Sequence, residues 1–263
     1  MDPTPIYHHI QDRYGELADR SSTNEQKEAE KNIAQAFGYD SADLRSIPRA
    51  ANLGVSCGNP LALANLREGE TVIDLGSGGG IDVLLAAKKV GPKGKAIGVD
   101  MTKKAGGFNA SFIEASITSI PLADATADCI ISNCVVNLVP TADKHLAFNE
   151  MFRLLGPGGR LAISDILTRR ELPQKWSTVY LSTWDASQGR ARSMNIVIVD
   201  THSDINIYKD LVQGQMDSGE TNDRSEPSGC CGGAQEKNDT EEDLLECDFN
   251  EWAGSFQIYA VKQ

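Results

Sequence analysis

The sequence predicts an α/β protein built on a mostly parallel, doubly wound sheet. Three observations carry that expectation. First, Thr71 to Leu75 is a short β-branched apolar run that meets Gly76, Gly78 and Gly80 and then a helix pattern from Asp82 to Val90. Second, Lys95-Ala-Ile-Gly-Val-Asp100 is another short apolar run ending in an acid. Third, strand-like runs recur at 111–117, 129–133 and 160–165, with a helix pattern over 142–155 before the last. Strands alternating with helices are the pattern of stacked βα units.

The first strand and its glycines form a ligand cradle. Glycine lets the backbone turn sharply and lets a ligand lie against bare main chain, and the helix behind offers unpaired N–H groups. A dinucleotide fingerprint has glycine at i, i+2 and i+5. Here i+5 is Ile81 and the third glycine falls at i+4. No Lys-Ser or Lys-Thr follows, so a P-loop is excluded. Asp100 lies 26 residues beyond Asp74, near the roughly 20-residue spacing at which a strand-end carboxylate meets ribose hydroxyls. On residues alone, a packing turn and an ordinary strand-end acid remain open for these two features.

In chain order, residues 1–48 form an N-terminal helical segment. Tyr7 to Leu17 reads as a helix, and Glu25 to Phe37 as a second, with Ser22-Thr23-Asn24 as cap candidates. Asp43 to Pro48 reads as a loop. The core spans 49–168. It opens with a glycine-rich loop, Ala50 to Pro60, that carries Cys57 ahead of a helix over 61–66, with Pro60 at a favoured first position. Cys57 reads either as a thiol with thiolate character near a helix end or as a small buried apolar residue. The fourth strand begins at Cys129, on the side away from any ligand, and runs out through Asn133, Cys134 and Asn137. Carboxyl ends of strands form the ligand face of such sheets. Gly156-Pro-Gly-Gly159 stops the helix before the fifth strand. Residues 169–216 carry little periodicity. Residues 217–248 are rich in Gly, Ser and acids, hence expected to be disordered. Residues 249–263 form a closing strand.

Composition bounds the function. The chain has 263 residues, 40% of them hydrophobic, room for one α/β domain with additions. Its formal charge of −12 disfavours nucleic acid and anionic membranes as partners. No run approaches the ~18 apolar residues of a membrane span, and Met-Asp-Pro-Thr-Pro lacks a secretory pattern, so a cytoplasmic location is expected. Six cysteines stand at 57, 129, 134, 230, 231 and 247 with no Cys-x-x-Cys zinc pair. They are expected to be reduced thiols, available to soft ligands.

Several motifs together resemble one family. Asp74-Leu-Gly-Ser-Gly78 resembles motif I of class I S-adenosylmethionine methyltransferases. With Leu53-Gly-x-x-Cys57-Gly-Asn-Pro60, Gly98-Val-Asp-Met-Thr102, Ser132-Asn-Cys-Val-Val-Asn-Leu138 and Gly158-Gly-Arg-Leu-Ala-Ile-Ser-Asp165, the stretch from about Tyr7 to Asp210 resembles arsenite S-adenosylmethionine methyltransferases, and Asn250 to Lys262 resembles the closing strand of fungal members. The resemblance implies the class I, Rossmann-like methyltransferase fold. It assigns Asp74, Gly76, Ser77, Gly78, Asp100, Met101, Ile117 and Asn133 to the cofactor. Cys57 and Cys134 become arsenic ligands, and Cys230 and Cys231 a further capture pair. It implies small arsenicals as substrates, a thiol reductant (glutathione or thioredoxin) as co-substrate, and a monomer. Two other readings stay open: a class I methyltransferase of another small molecule, and a non-catalytic thiol protein that binds trivalent arsenic.

Two internal segments of the family pattern are absent. Only Met101 to Ala110 joins the second and third strands, whereas a parallel crossover usually takes a dozen or more residues. The family's helix is missing there, which predicts an uncovered sheet face. After Glu171-Leu-Pro, a cysteine-free stretch replaces the segment that carries a third arsenic ligand in the family.

Overall fold

A computed structural model describes residues 7, 8, 10–12, 14, 15, 23–101, 109–170, 194–209 and 248–263. Seven strands form one sheet, β1 (Thr71–Leu75), β2 (Lys95–Asp100), β3 (Ala110–Glu114), β4 (Ala127–Asn133), β5 (Leu155–Thr168), β6 (Met194–Asp200) and β7 (Ala253–Lys262). Their order is β3-β2-β1-β4-β5-β7-β6. The first five pair in parallel. β7 runs antiparallel between β5 and β6. The main helices are α1 (Asn24–Ala36), α2 (Ser41–Arg45), α3 (Pro60–Ala64), α4 (Ile81–Val90) and α5 (Lys144–Leu154). Ahead of α1, the described residues between 7 and 15 are helical.

Alternation along β1 explains why both of its faces are covered. Side chains of successive strand residues point to opposite faces. Ile73 and Leu75 join a cluster with Phe148 and Met151 of α5. Val72 joins the other cluster, with Val83, Ala86 and Val90 of α4. Each large apolar side chain so buried contributes ~1.5–3 kcal/mol. Thr23 caps α1 through a full capping box, its hydroxyl accepting from the Gln26 N–H while the Gln26 side chain accepts from the Thr23 N–H.

Several elements depart from the sequence expectation. Residues 41–45 are helical because Asp40 accepts the Ala42 N–H at 2.6 Å and starts a turn. β5 begins at Leu155, which pairs with Ala127 before a register shift, with Gly158 turning through φ +74°. β6 was not foreseen and forms the sheet edge beyond β7. β3 lies parallel to β2 from Ala96–Ala110 to Asp100–Glu114, despite the nine-residue link. Residues 102–108, 171–193 and 210–247 lie outside the described residues, and with them the two departures from the family pattern, the acidic stretch, and Cys230, Cys231 and Cys247.

Candidate active site

The strand order reverses between β1 and β4, and ligands of open α/β sheets bind outside the carboxyl ends at such a point. A cleft of about 1110 Å³, its open mouth included, lies there. Asp74, Gly76, Ser77, Gly78, Asp100, Met101, Ile117, Asn133 and Cys134 all line it. The fold thus brings together residues that span 61 positions of sequence.

Main-chain geometry builds the β1 side of this cleft. Gly76 sits at φ +71°, and a Cβ there would run into the Val135 side chain. The N–H groups of Gly76 and Ser77 donate to the Val99 carbonyl at 2.7 and 3.1 Å, which ties the turn to β2. Gly78 N–H donates to Asp100 Oδ2 at 2.8 Å. A Cβ on Gly98 would meet the Ser77 hydroxyl at 2.7 Å, so the bare β2 backbone makes room for that group. Ser77 Oγ is buried and finds no hydrogen-bond partner among the described residues. A buried polar atom without a partner is costly, and this one belongs to a residue of the cleft wall.

Behind the turn lie two buried carboxylates. Burial raises the Asp74 carboxyl well above the usual range, the charges of Asp82 and Asp100 raise it further, and the Val83 N–H opposes them. Burial likewise raises Asp82, against hydrogen bonds from Tyr39 and Asn133. The Tyr39 hydroxyl donates to Asp82 Oδ1 at 2.7 Å. Its own proton is held more firmly than in water, chiefly through burial.

Cys57 and Cys134 meet on the opposite side. Their Cα atoms are 5.6 Å apart, and their side chains converge on one another. Only Cys134 reaches the cleft wall. Cys57 is 1% exposed and sits behind it. Cys134 stands in the left-handed region, at φ +57°. A non-glycine residue there costs of order 1–3 kcal/mol and persists only when its surroundings enforce it. Its N–H donates to the Ser164 carbonyl at 2.9 Å. Cys129, at the start of β4, is the described free cysteine. Burial pushes its thiol up to about 12.

Side chains from distant segments hold each cysteine. Asn133 Oδ1 accepts the Cys57 N–H at 3.0 Å, and the Ser255 hydroxyl donates to the Cys57 carbonyl at 2.6 Å. The Tyr208 hydroxyl donates to the Ser56 carbonyl. On the Cys134 side, Lys144 Nζ donates to the carbonyls of Val136 (2.7 Å) and Asn137 (3.1 Å). Asp165 accepts the N–H groups of Asn137 (3.0 Å) and Ile166 (2.9 Å). Burial lifts the Asp165 carboxyl to about 7 and lowers the Lys144 ammonium to about 8. Tyr39, Asp82, Lys144, Asp165, Tyr208 and Ser255 escaped the sequence reading, because no local spacing relates them to either cysteine. Tyr7, Ile10, Gln11 and Tyr14 of the N-terminal helical residues also line the cleft, and Gln11 Nε2 donates to the Met101 carbonyl at 3.0 Å.

Sheet order, switch-point cleft and glycine turn define a class I S-adenosylmethionine methyltransferase fold. A family model described as a methyltransferase domain matches residues 66–215, more than half the chain, and the chain belongs to that family. Among curated relatives, the arsenite methyltransferase of Halobacterium salinarum is 44% identical over 157 residues, 56% of this chain and 40% of that protein. The arsenite methyltransferase of Homo sapiens is 38% identical over 127 residues, 41% of this chain and 33% of that protein. The matched stretches therefore span well under half the length of these relatives. Among solved structures, a Haemonchus contortus phosphoethanolamine N-methyltransferase bound to phosphomonomethylethanolamine and S-adenosylhomocysteine aligns with a TM-score of 0.59 at 14% identity, over 95% of this chain and 60% of that one. That likeness concerns the fold alone. Among the described residues no group of three or more His, Cys, Asp or Glu could hold a metal ion, and no helix is long and apolar enough to cross a membrane.

Proposed function

We propose that this chain transfers a methyl group from S-adenosylmethionine to trivalent arsenic held by Cys57 and Cys134. One observation carries the reading: two cysteines 77 residues apart come together, Cα to Cα 5.6 Å, beside a cleft that Cys134 itself lines. Two sulfurs that meet across such a gap can equally be bridged by one thiophilic atom, and thiolates are the ligands that soft elements take. The arsenite methyltransferase relatives support the same substrate.

The residues fit the methyl donor. Ser77 lines the cleft beside the glycine turn, with its hydroxyl set against the bare β2 backbone at Gly98. The bare glycines of 76–80 leave main chain open to the cleft, and Asp100, oriented by the Gly78 N–H, suits a vicinal diol. Asp74, Met101 and Ile117 complete the proposed contacts. When bound, S-adenosylmethionine supplies an electrophilic methyl: the arsenic lone pair forms the carbon–arsenic bond as the carbon–sulfur bond breaks, its electron pair staying on sulfur. The protein's task is to hold two reactants in line. No proton moves in that step, so no general base is required of the chain. Arsenic rises from the trivalent to the pentavalent state, so the cycle takes two electrons from a thiol reductant such as glutathione or thioredoxin. The same reductant keeps Cys57 and Cys134 as free thiols between cycles. Cys230 and Cys231 are proposed as a capture pair, the active unit as a monomer, and the site of action as the cytoplasm.

The test is arsenic speciation. Reduced protein incubated with arsenite, glutathione and S-adenosylmethionine should yield methylated arsenic by chromatography and mass spectrometry, and Cys57→Ser or Cys134→Ser should abolish it. Folded protein that binds the cofactor but forms no methylarsenic would end the proposal. Full activity of Cys134→Ser on an organic acceptor would favour another small-molecule methyltransferase.

A further inference from the structure

We infer that Asn133 is the positioning residue for Cys57, so that the end of one strand places both sulfurs. The inference rests on the proposed role of the Cys57–Cys134 pair and deepens it. Asn133 ends β4, a central strand paired with β1 and β5. The next residue is Cys134, which the strand therefore positions through the covalent chain. Cys57 is positioned from the same residue through hydrogen bonds. The Asn133 carboxamide oxygen accepts the Cys57 N–H at 3.0 Å. Its nitrogen donates to the Gly58 carbonyl at 2.9 Å. The side chain thus grips the main chain at Cys57 and at the residue after it.

A neutral primary amide can do this because it accepts and donates at once without charge. An ionised carboxylate would accept the Cys57 N–H but face the Gly58 carbonyl and Asp82 with no proton to give. The remaining capacity of the amide goes to the Tyr39 hydroxyl oxygen at 2.9 Å and Asp82 Oδ2 at 3.3 Å. Both N–H protons therefore go to protein groups and the oxygen accepts the Cys57 N–H, so the hydrogen bonds of this side chain run into the protein. This reassigns Asn133 from a cofactor contact to a support of the thiol loop, although its side chain lines the cleft. Tyr39 and Asp82 lock the amide against rotation, as an outer layer does in a preorganised site.

The experiment uses the full chain with its thiols reduced, and phenylarsine oxide as the probe. In a Cys230→Ser/Cys231→Ser background, which removes the proposed capture pair and serves as the parent for every variant below, the protein should take up one equivalent on the Cys57–Cys134 dithiol, and adding Cys57→Ser should abolish tight uptake. Asn133→Ala should weaken phenylarsine oxide binding roughly tenfold or more, the equivalent of losing a buried hydrogen-bonded pair. Its affinity for S-adenosylmethionine, read by calorimetry, should stay within about threefold. Asn133→Asp keeps the shape and the acceptor half, and carries the same expectation should the alanine variant fail to fold. Hydrogen exchange provides a readout free of arsenic: the peptide containing the Cys57 N–H should exchange about tenfold faster in either variant while the β1 peptide is unchanged. Unchanged exchange at Cys57 overturns the inference, whatever the arsenical does. Equal weakening of both ligands overturns it as well, since it would place Asn133 in the cofactor contacts. Failure of the parent protein to bind phenylarsine oxide would remove the arsenic reading alone, and the exchange comparison would still decide the role of Asn133.

Discussion

The cofactor side and the thiol side of the cleft are built by opposite means. The first is local main chain: Gly76, Ser77 and Gly78 bond to Val99 and Asp100, and all of it lies within two strands and the turn between β1 and α4. The second is an assembly of buried side chains from remote segments. Cys57 is held from β4 and β7 and the preceding Ser56 from Tyr208, and the turn after Cys134 from α5 and β5. A main-chain cradle is specified by a handful of glycines and fails when one gains a side chain. A side-chain assembly spreads its cost over many contacts, and loses function by degrees.

Gly76→Ala breaks this division most severely. Its φ of +71° charges an L-residue ~1–2 kcal/mol, and the added methyl collides with Val135, which overpacking makes worse by ~1–3 kcal/mol. Val135 adjoins Cys134, so the damage crosses to the thiol side. Calorimetry should find S-adenosylmethionine binding weaker by roughly a hundredfold, with phenylarsine oxide binding weakened too. Loss of cofactor affinity with the arsenical untouched would mean the two sides are more independent than their contact implies.

The same contrast explains what the sequence made legible. The glycine turn, Asp100 and the first five strands follow from short-range patterns, and the structure reproduces them with shifted boundaries. The two cysteines drew attention only through family resemblance, since a lone loop cysteine reads as readily as a small core residue. Their supports were not legible at all. Tyr39 and Asp82 are 43 residues apart, Tyr208 and Ser56 152 apart, and Ser255 and Cys57 198 apart. Hydroxyls and carboxylates of this kind are expected at the surface, and only the fold shows that they are buried and paired. β6 was missed because it forms the sheet edge, where Val197, Ile198 and Val199 stay exposed and no burial pattern marks the strand.

A pH series sharpens the comparison at an intermediate scale. The folded-state pKa of Asp165 is raised to about 7 from 3.8, so the folded protein binds that proton more tightly than the unfolded chain does. The stability so gained is complete in acid, below the ordinary carboxyl range, and disappears as pH rises through about 7. Asp74 and Asp82 shift in the same direction. Glu70 and Glu150 are lowered instead and titrate below the window of interest. Lys144, lowered to about 8 from 10.5, contributes a rise only above that pH. Urea unfolding should therefore give higher stability at about pH 5.5 than at about pH 7.5, with each such carboxyl adding up to ~1.4 kcal/mol per pH unit to the slope. Asp165→Asn should remove one proton's share of that slope. An unaltered slope would mean that the turn after Cys134 is not held by this carboxyl.

Tyr39→Phe is expected to do less. It leaves the ring in place and deletes one hydroxyl that Asp82 accepts from and Asn133 donates to. A buried partner left unsatisfied costs ~1–3 kcal/mol, read as a lower urea midpoint. Phenylarsine oxide binding should weaken only about threefold, because both Asn133 bonds to the Cys57 loop remain. An effect equal to that of Asn133→Ala would make the phenol, and not the amide, the anchor of that loop.

The smallest effect belongs to Gln11→Ala, and it isolates the cofactor side. Gln11 reaches from the N-terminal helical residues to the Met101 carbonyl at 3.0 Å, next in sequence to Asp100. One hydrogen bond contributes ~0.5–1.5 kcal/mol net, and an exposed one the lower part of that range. S-adenosylmethionine affinity should therefore fall about two- to threefold, while phenylarsine oxide affinity and the exchange rate at Cys57 stay at wild-type values. The asymmetry is the informative part. A lost contact on the main-chain side should be felt only by the ligand lying on it, because Gln11 shares no partner with Asn133, Asp165 or Lys144. A matching loss of arsenical affinity would show that the N-terminal residues order both sides together, and the division between a local cradle and a remote assembly would then have to be redrawn around them.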